Sequence, residues 1–202
     1  MTAPHPFTAP VTLTGPHARL DPLSQDHREA LVDAVSDGEL WKLWYTTVPT
    51  PDRMGAEIDR RLGLREAGSM NPFTVFDAAG RVAGMTTFMN IDATNRRVEI
   101  GSTWTRASNQ RSGLNTQCKL LLLRHAFETL DCIAVEFRTN RLNTQSRRAI
   151  ERLGAQLDGV LRSHVLMPNG LPRDTAVYSI TAAEWPTIQT HLQWQLDKPR
   201  SA

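Results

Sequence analysis

The stretch between residues 97 and 153 constrains the possible folds more than any other part of the chain. Its hydrophobic pattern predicts a strand at 97–104, a long helix that ends at Leu130, a second strand at 133–139 and a second helix that begins at Asn143. Two strands joined by a helix within one sheet lie parallel, with a right-handed crossover. The sequence therefore predicts a sheet that contains one parallel strand pair.

The segments on either side of this unit predict antiparallel strands and further helices. Residues 73–76 and 82–89 flank the turn-like tetrapeptide Asp-Ala-Ala-Gly, which is typical of a β-hairpin. A helix capped by Ser24, another through residues 40–44 and a third after Pro51 are predicted before it. The remaining predicted elements are strands near residues 13–21, 156–167 and 175–180 and an amphipathic segment at 186–196. We predict an α+β fold, with a mixed, mostly antiparallel twisted sheet of about seven strands and helices on both faces.

Length and composition favour a globular chain. With 202 residues, of which 40% are hydrophobic and 22% charged, the chain can bury a core, which excludes a disordered tail or a disulfide miniprotein. We predict one domain over residues 1–202, with a core at 10–185, an irregular start at 1–10 and a helical extension at 186–202. The N-terminal MTAPHPFTAP has neither the basic start nor the apolar block of a signal peptide, so a cytoplasmic location is expected.

The cysteines and histidines give no metal-site pattern. Cys118 and Cys132 form no CxxC pair, and no histidine cluster lies near them. Cys118 belongs to an amphipathic helix and Cys132 precedes a strand, so both are expected to be small buried apolar residues. No bound metal is predicted.

Charge is unevenly distributed along the chain. Residues 21–59 hold nine acidic and three basic side chains, whereas residues 101–152 hold nine basic and four acidic ones. Two interpretations remain open: solvated faces that happen to segregate, or a basic side for an anionic cofactor and an acidic side for a cationic substrate. The basic half lacks interleaved aromatic residues and recognition-helix or zinc-finger spacing, so no nucleic-acid partner is expected. No apolar run approaches the roughly 20 residues of a membrane helix, so no membrane partner is expected either.

The segment QRSGLN, residues 110–115, is a candidate anion site. A loop that leads into a helix presents unpaired backbone N–H groups, and together with the helix dipole these attract a phosphate or diphosphate. Gly113, which has no Cβ, would let the backbone approach such a ligand closely. A plain strand-to-helix turn is the alternative. Neither GxxxxGK[ST] nor GxGxxG occurs, which removes the NTPase and dinucleotide-binding interpretations.

The same segment resembles the cofactor loop of the GNAT N-acetyltransferases, [QR]-x-x-G-x-[GA]. Gln110 and Gly113 fit the pattern, while Asn115 stands where most members carry Gly or Ala. That departure is similar to the RimJ/RimL-like branch, which acetylates N-terminal amines of ribosomal proteins. Further similar segments are 99–101, 115–127, 143–150 and 173–175. The resemblance extends over residues 10–185 in element order.

This resemblance implies a GNAT-type domain in which acetyl-CoA lies between two parallel strands that splay apart. Backbone N–H groups of residues 111–116 would hold the diphosphate, the strand at 100–104 would bond the pantetheine arm, and Asn143 would contribute from the next helix. The predicted cofactor-binding residues are Ile100, Ser102, Trp104, Gln110, Arg111, Ser112, Gly113, Leu114, Asn115, Thr116 and Asn143. Acetyl-CoA is expected as the co-substrate.

Acetyl transfer needs a group that removes a proton from the amine and a donor for the departing thiolate. Glu99 is the candidate base, directly or through water, because its alternation with Val98 and Ile100 directs its carboxylate away from the core-facing pair. The solvated side of a half-buried strand is the alternative for Glu99. Ser146, one turn after Asn143, is the candidate proton donor or thiolate partner, with a solvent-facing helix residue as the alternative.

The acceptor is expected to enter past the N-terminal helices. Trp41, Trp44 and Tyr45, with Glu39 nearby, could surround an ammonium group, although Trp41 and Trp44 are also spaced as core residues of a helix. A protein or peptide N-terminus and a small amine, such as an amino-acyl compound, both remain open as acceptors. A non-catalytic acyl-CoA sensor on the same fold is the alternative function. A homodimer is a further possibility that the sequence leaves open.

Overall fold

A central sheet of eight strands organises the part of the chain that the computed structural model describes, residues 5–198. The strands are β1 (Leu13–Gly15), β2 (Ala18–Pro22), β3 (Met70–Asp77), β4 (Val82–Asp92), β5 (Arg97–Thr105), β6 (Ala134–Asn140), β7 (Gln156–Leu166) and β8 (Pro172–Thr181). Their order is β1-β2-β3-β4-β5-β6-β8-β7, and the β5–β6 pair is parallel while the other neighbours are antiparallel. The predicted α+β class is confirmed. The strand count exceeds seven because residues 13–21 form two strands around Gly15 and Pro16.

Five helices accompany the sheet in residues 5–198: α1 (Arg28–Ser36), α2 (Met54–Glu66), α3 (Leu114–Arg124), α4 (Thr144–Glu151) and α5 (Trp185–Asp197). A π-helical turn, His125–Thr129, prolongs α3. None of these helices combines the length and the apolar character that a membrane span requires. Residues 1–4 of the irregular start predicted for 1–10, and residues 199–202 of the helical extension predicted for 186–202, lie outside the described residues.

The helix predicted through residues 40–44 is wrong. Only one 3-10 turn, Leu40–Lys42, forms there, and Leu43 already has extended backbone angles. The preceding Gly38 and Glu39 both have positive φ values, 103° and 47°, so the chain changes direction immediately before the turn. A segment this short, followed by two threonines and Val48-Pro49, cannot propagate a helix.

Alternation along the strands buries side chains on both faces of the sheet. Val75 packs in a cluster with Leu122 of α3, whereas the next residue, Phe76, packs in a second cluster with Leu31 of α1. The first cluster also contains residues of α5, and the second contains residues of α2. The helices therefore cover the sheet from both sides, as predicted, with α3 and α5 on one face and α1 and α2 on the other.

The parallel pair β5–β6 is short. Its register runs from Arg97 opposite Ala134 to Glu99 opposite Glu136 and then stops, although both strands continue. Beyond this point β5 stays paired with β4, and β6 stays paired with β8. The strands therefore diverge and leave an opening between residues 100–105 of β5 and 137–140 of β6, here called the strand gap.

A β-bulge shapes the β5 side of the strand gap. Thr87 of β4 is opposite Gly101, but Met85 is opposite Trp104, so β5 contains one extra residue in this interval. Ser102 within it has a φ of 47°. The buried Arg61 of α2 supports the bulge, because its guanidinium donates to the Ser102 carbonyl (3.2 Å) and to Thr87 Oγ1 (2.9 Å). The same guanidinium pairs with Glu57 at 2.7 Å.

Gly84 offers a test of how closely β4 and β5 pack beside the strand gap. Its φ is 153°, and an added Cβ would lie 2.1 Å from the Trp104 carbonyl oxygen, so Gly84→Ala should cost about 3 kcal/mol or more of unfolding free energy. Gly159→Ala in β7 is the matched control, because a Cβ there meets nothing within 4 Å. Urea unfolding measures both. Equal stability of the two variants would contradict this packing.

Candidate active site

The strand gap brings two helix N-termini to one edge of the sheet. Since β5 and β6 are parallel, their carboxyl ends lie at the same edge, and α3 and α4 both begin there. Gly113 is the N-cap of α3 and Asn143 is the N-cap of α4. The first-turn N–H groups of a helix lack intrahelical acceptors and carry partial positive charge. This edge of the gap is therefore suited to an anionic ligand.

The loop between β5 and α3 holds its own shape. Gln110 Nε2 donates to the Thr105 carbonyl at 3.1 Å, and Ser112 Oγ donates to the Asn109 carbonyl at 2.6 Å. Ser112 Oγ also accepts from the Leu114 N–H at 3.2 Å. Arg111 adopts a left-handed conformation with a φ of 58°. The side chains of Gln110 and Ser112 are thus used to form the loop, so a ligand there would meet mainly backbone groups.

Gly113 has ordinary helical angles, φ −70° and ψ −15°. Any amino acid can adopt this conformation, so the turn itself does not require glycine. The other reason for a glycine at this position is that a ligand can approach the backbone closely where there is no Cβ, as the sequence suggested. The first intrahelical hydrogen bond of α3 runs from the Gln117 N–H to the Gly113 carbonyl at 2.9 Å. The N–H groups of Asn115 and Thr116 come before this bond and therefore have no acceptor within the helix.

The β5 side of the strand gap presents an unpaired strand edge. Between Ile100 and Trp104, β5 has no register partner on β6 among residues 5–198. The Ile100 side chain is buried in the α3 cluster, that of Ser102 is exposed, and that of Trp104 is buried in the α1 cluster. The three side chains therefore point in different directions, and only the backbone groups of these residues face the gap together. A linear amide-containing ligand could hydrogen-bond to such an edge.

Glu99 lies where β5 and β6 part. Its side chain is buried, with only 5% of the residue exposed, so the alternative of a solvated position is wrong. Asn90 Nδ2 donates to Glu99 Oε2 at 2.7 Å, and Arg138 Nε lies 3.5 Å from the same oxygen. Burial raises the pKa of Glu99, while the Asn90 hydrogen bond and the charge of Arg138 oppose this rise. A carboxylate with a raised pKa is a suitable proton acceptor near neutral pH.

Other charged residues share the face of Glu99. Glu136 is its register partner, Arg138 follows two residues later, and Arg97 precedes Glu99 by two, so all four project from the sheet away from α3. Glu136 accepts from Arg97 at 2.5 Å and from Arg138 at 2.8 Å. Arg173 of β8 belongs to the same face and its charge also acts on Glu99. These residues, Arg97, Glu99, Glu136, Arg138 and Arg173, are here called the charged face.

An open depression of about 540 Å³ lies on the charged face. Arg97, Glu136, Arg138, Asp158, Leu161 and Ser179 are among the residues that line it. The sequence did not predict this depression or the positions of Asn90 and Glu136 beside Glu99. The alternation of Glu136 and Arg138 with Val135 and Phe137 was a usable signal, but it required the parallel register that aligns Glu136 with Glu99.

The predicted residues Asn143 and Ser146 lie at the start of α4, on the β6 side of the strand gap. Asn143 Oδ1 accepts from the Ser146 N–H at 2.9 Å, which is a standard helix cap, and Ser146 is half-buried. The buried Tyr178 holds α4 on the sheet, because its hydroxyl donates to Glu151 Oε1 (2.8 Å) and accepts from Arg147 Nε (2.8 Å). Ser146 thus occupies a fixed position on the wall opposite α3.

The three aromatic residues predicted to contact the acceptor are not brought together as one group. Trp41 is half-buried and packs against the α1 cluster, which also contains Trp104, in agreement with the core-packing interpretation. Trp44 is 56% exposed and meets Tyr45 edge to face at 5.7 Å between ring centroids. Their segment follows Asp37, whose carboxylate accepts from Arg106 and Ser108. It is therefore anchored to the loop that leads from β5 to α3.

Several known proteins are similar to this chain in sequence or in fold. The family model "Acetyltransferase (GNAT) domain" matches residues 17–156. YdaF of Bacillus subtilis (strain 168), provisionally named a ribosomal N-acetyltransferase, is 32% identical over 106 residues, 52% of this chain and 57% of YdaF. The chain thus spans little more than half the length of that relative. A GCN5-related N-acetyltransferase from Brucella melitensis superposes with a TM-score of 0.82 at 30% identity, covering 92% of this chain and 85% of that one. RimJ of Mycobacterium smegmatis in complex with CoA-disulfide has the same fold, with a TM-score of 0.76 at 22% identity over 92% and 93% of the chains.

The cost of burying Glu99 can be measured as stability. Because the folded state raises the pKa of Glu99, the contribution of this group to stability is fully present below its unfolded-state pKa and is lost as pH rises through the raised value. Glu99→Gln should therefore be more stable than the wild type at pH 8, with Tm higher by about 2–4 °C for each kcal/mol gained. The advantage should vanish near pH 4. The exposed Glu66→Gln is the control, and a lower Tm for Glu99→Gln at pH 8 would show that Glu99 is held as a structural anion.

Proposed function

Because the chain belongs to the GNAT family of acetyltransferases, we propose that it transfers the acetyl group of acetyl-CoA to a primary amine. The amine nitrogen, once deprotonated, attacks the thioester carbonyl carbon directly. The carbon–sulfur bond then breaks, and CoA leaves as the thiolate or thiol. The observation that carries this proposal is the buried carboxylate of Glu99, with its raised pKa, at the point where β5 and β6 part.

The strand gap fits acetyl-CoA as co-substrate. The diphosphate would meet backbone N–H groups of Arg111, Ser112, Gly113, Leu114, Asn115 and Thr116, with Gln110 fixing the loop. The pantetheine amides would bond the unpaired edge of β5 from Ile100 to Trp104, including Ser102, and Asn143 would contact the arm from α4. CoA-disulfide bound to RimJ, a protein of the same fold, supports this assignment.

In the proposed reaction Glu99 accepts the proton of the acceptor ammonium, directly or through a water molecule. Asn90 and Arg138 hold the carboxylate in place, and burial keeps its proton affinity high enough for it to act as a base. Ser146 would donate a hydrogen bond to the departing sulfur. An unperturbed serine hydroxyl is a weak acid, so its role is orientation and charge stabilisation.

The acceptor would approach from the charged face, opposite α3. The depression is open to solvent and is lined by Glu136, the register partner of Glu99, and by Arg138, which lies 3.5 Å from the Glu99 carboxylate; such an opening suits an amine at the end of a larger molecule. The name of YdaF supports a ribosomal protein or another protein N-terminus as this acceptor. A small amine such as an amino-acyl compound is the second acceptor class. Trp44 and Tyr45 would form an outer wall of the entry.

A non-catalytic acyl-CoA sensor is less well supported. A sensor needs the loop and the strand edge, but it gains nothing from an acid that is buried at a cost beside them. Turnover of acetyl-CoA with a panel of peptides and small amines, followed by thiol release, decides between the two functions.

The role of Glu99 as base is tested by the pH dependence of the rate. Glu99→Gln should lower kcat by about 100-fold or more near pH 7, with acetyl-CoA affinity unchanged, because only proton removal is lost. The deficit should shrink at high pH, where free amine becomes abundant. Glu66→Gln, which alters an exposed carboxylate, is the matched control. An identical pH–rate profile in Glu99→Gln and wild type would exclude Glu99 as base.

The position of the diphosphate is tested at Gly113. Gly113→Val should weaken acetyl-CoA binding by at least about 100-fold, because the new side chain would stand where a phosphate approaches the backbone. Gly63→Val in α2 is the control for placing a valine in a helix, since a Cβ at Gly63 meets nothing within 4 Å. Calorimetric titration measures affinity, and circular dichroism checks folding. A folded Gly113→Val protein with wild-type affinity would place the diphosphate elsewhere.

A further inference from the structure

Lys119 of α3 is a buried cation without a matching anion. Only 7% of the residue is exposed, although lysine is seldom buried unless it is paired. Its Nζ donates to Thr103 Oγ1 at 3.1 Å, and no carboxylate forms an ion pair with it within residues 5–198. Thr103 in turn contacts Thr86 Oγ1 at 2.8 Å. One neutral hydroxyl does not compensate the lost hydration of an ammonium group.

The orientation of α3 directs Lys119 toward the strand gap. Thr116, three residues earlier and on the same side of the helix, accepts from Arg152, the C-cap of α4, which is the helix that follows β6. Gln117 faces the opposite direction, where it packs against Gly15 of β1. Thr103, the partner of Lys119, lies on β5 beyond Glu99, where β5 has left β6. The amino group therefore lies in the wall of the gap, about one turn inside the N-terminus of α3.

We infer that Lys119 is a binding residue for the anionic part of the cofactor, and that its ammonium becomes fully charge-compensated only when a diphosphate occupies the strand gap. This inference rests on the proposed function and extends it to a residue outside the loop motif. The ligand class is a nucleotide diphosphate ester. In contrast to the backbone groups of the loop, Lys119 contributes a full charge that depends on pH.

The surroundings of Lys119 determine how its charge varies with pH. Burial lowers the pKa of Lys119 to about 8. The facing groups are uncharged Thr103 and Thr86 from the sheet, the thiol of Cys118, whose pKa burial raises to about 12, and Arg152 at the end of α4. None of these changes charge between pH 7 and pH 9. A bound diphosphate would raise the pKa of Lys119, so binding above pH 8 must take up a proton.

Acetyl-CoA binding to the full chain at several pH values tests this inference. For the wild type, Kd should rise about tenfold between pH 7 and pH 9, and calorimetry in two buffers of different ionisation enthalpy should detect uptake of about one proton per acetyl-CoA at pH 9. Acetyl-CoA has no free thiol, and its phosphate monoester titrates near 6, roughly two units below the pKa of Lys119. Acetyl-dephospho-CoA should behave in the same way, because it retains the diphosphate.

Matched variants isolate the contribution of Lys119. Lys119→Met should bind acetyl-CoA about tenfold more weakly at pH 7 and should lose both the pH dependence and the proton uptake, whereas the exposed Lys42→Met should resemble the wild type. Lys119→Gln is a second variant should methionine impair folding. Equal pH dependence in wild type and Lys119→Met would overturn the inference and leave the proposed function intact. Failure of every protein, wild type included, to bind acetyl-CoA would overturn both.

Discussion

The separation of β5 from β6 after Glu99 is the constraint on which the remainder of the site depends. Each strand is kept from its parallel neighbour by a stronger antiparallel partner, since β4 pairs with β5 up to Thr105 and β8 pairs with β6 up to Asn140. The bulge at Ser102, supported by Arg61 of α2, turns β5 further away. An unpaired strand edge in the interior of a sheet is costly unless water or a ligand satisfies its backbone groups. The gap is thus maintained by the fold, and its unpaired backbone groups remain available to water or a ligand.

The two faces of the sheet differ in character beside this gap. On the α3 side, helix N-termini and basic side chains suit an anion, and on the other side the charged face holds Glu99 beside an open depression. The reacting groups can therefore enter from opposite directions and meet where the strands part. The excess of basic residues between 101 and 152 is consistent with a cofactor side, although several of them are engaged elsewhere. Arg147, for example, is bound to Tyr178.

Elements with long, regular patterns were predictable, whereas contacts between distant segments were not. The unit from β5 to α4 followed from periodicity and connection rules, and the loop at residues 110–115 followed from its motif. The failed helix at 40–44 depends on the positive φ values of Gly38 and Glu39, which no local propensity requires. Glu99 could be selected as a candidate from the alternation of β5, but its burial depends on two residues of the neighbouring strands. One is Asn90, which lies at a bulge of β4 and has a φ of 48°, and the other is Arg138 of β6. Register, which brings these residues together, is a tertiary property.

Arg61, Glu99 and Lys119 are three of the four charged residues that are buried within residues 5–198, and they differ in how completely the protein itself compensates their charge. Arg61 has a carboxylate partner and two hydrogen-bond acceptors, so its charge is a structural support. Glu99 has an amide donor and a more distant guanidinium, yet burial still raises its pKa, so its charge is only partly compensated. Lys119 has a single hydroxyl. An uncompensated buried charge destabilises the fold, so a binding partner that compensates this charge would explain why it is buried. The degree of compensation thus separates Arg61, whose charge supports the bulge beside the strand gap, from Glu99 and Lys119, for which we propose roles toward a reacting proton and an anionic ligand.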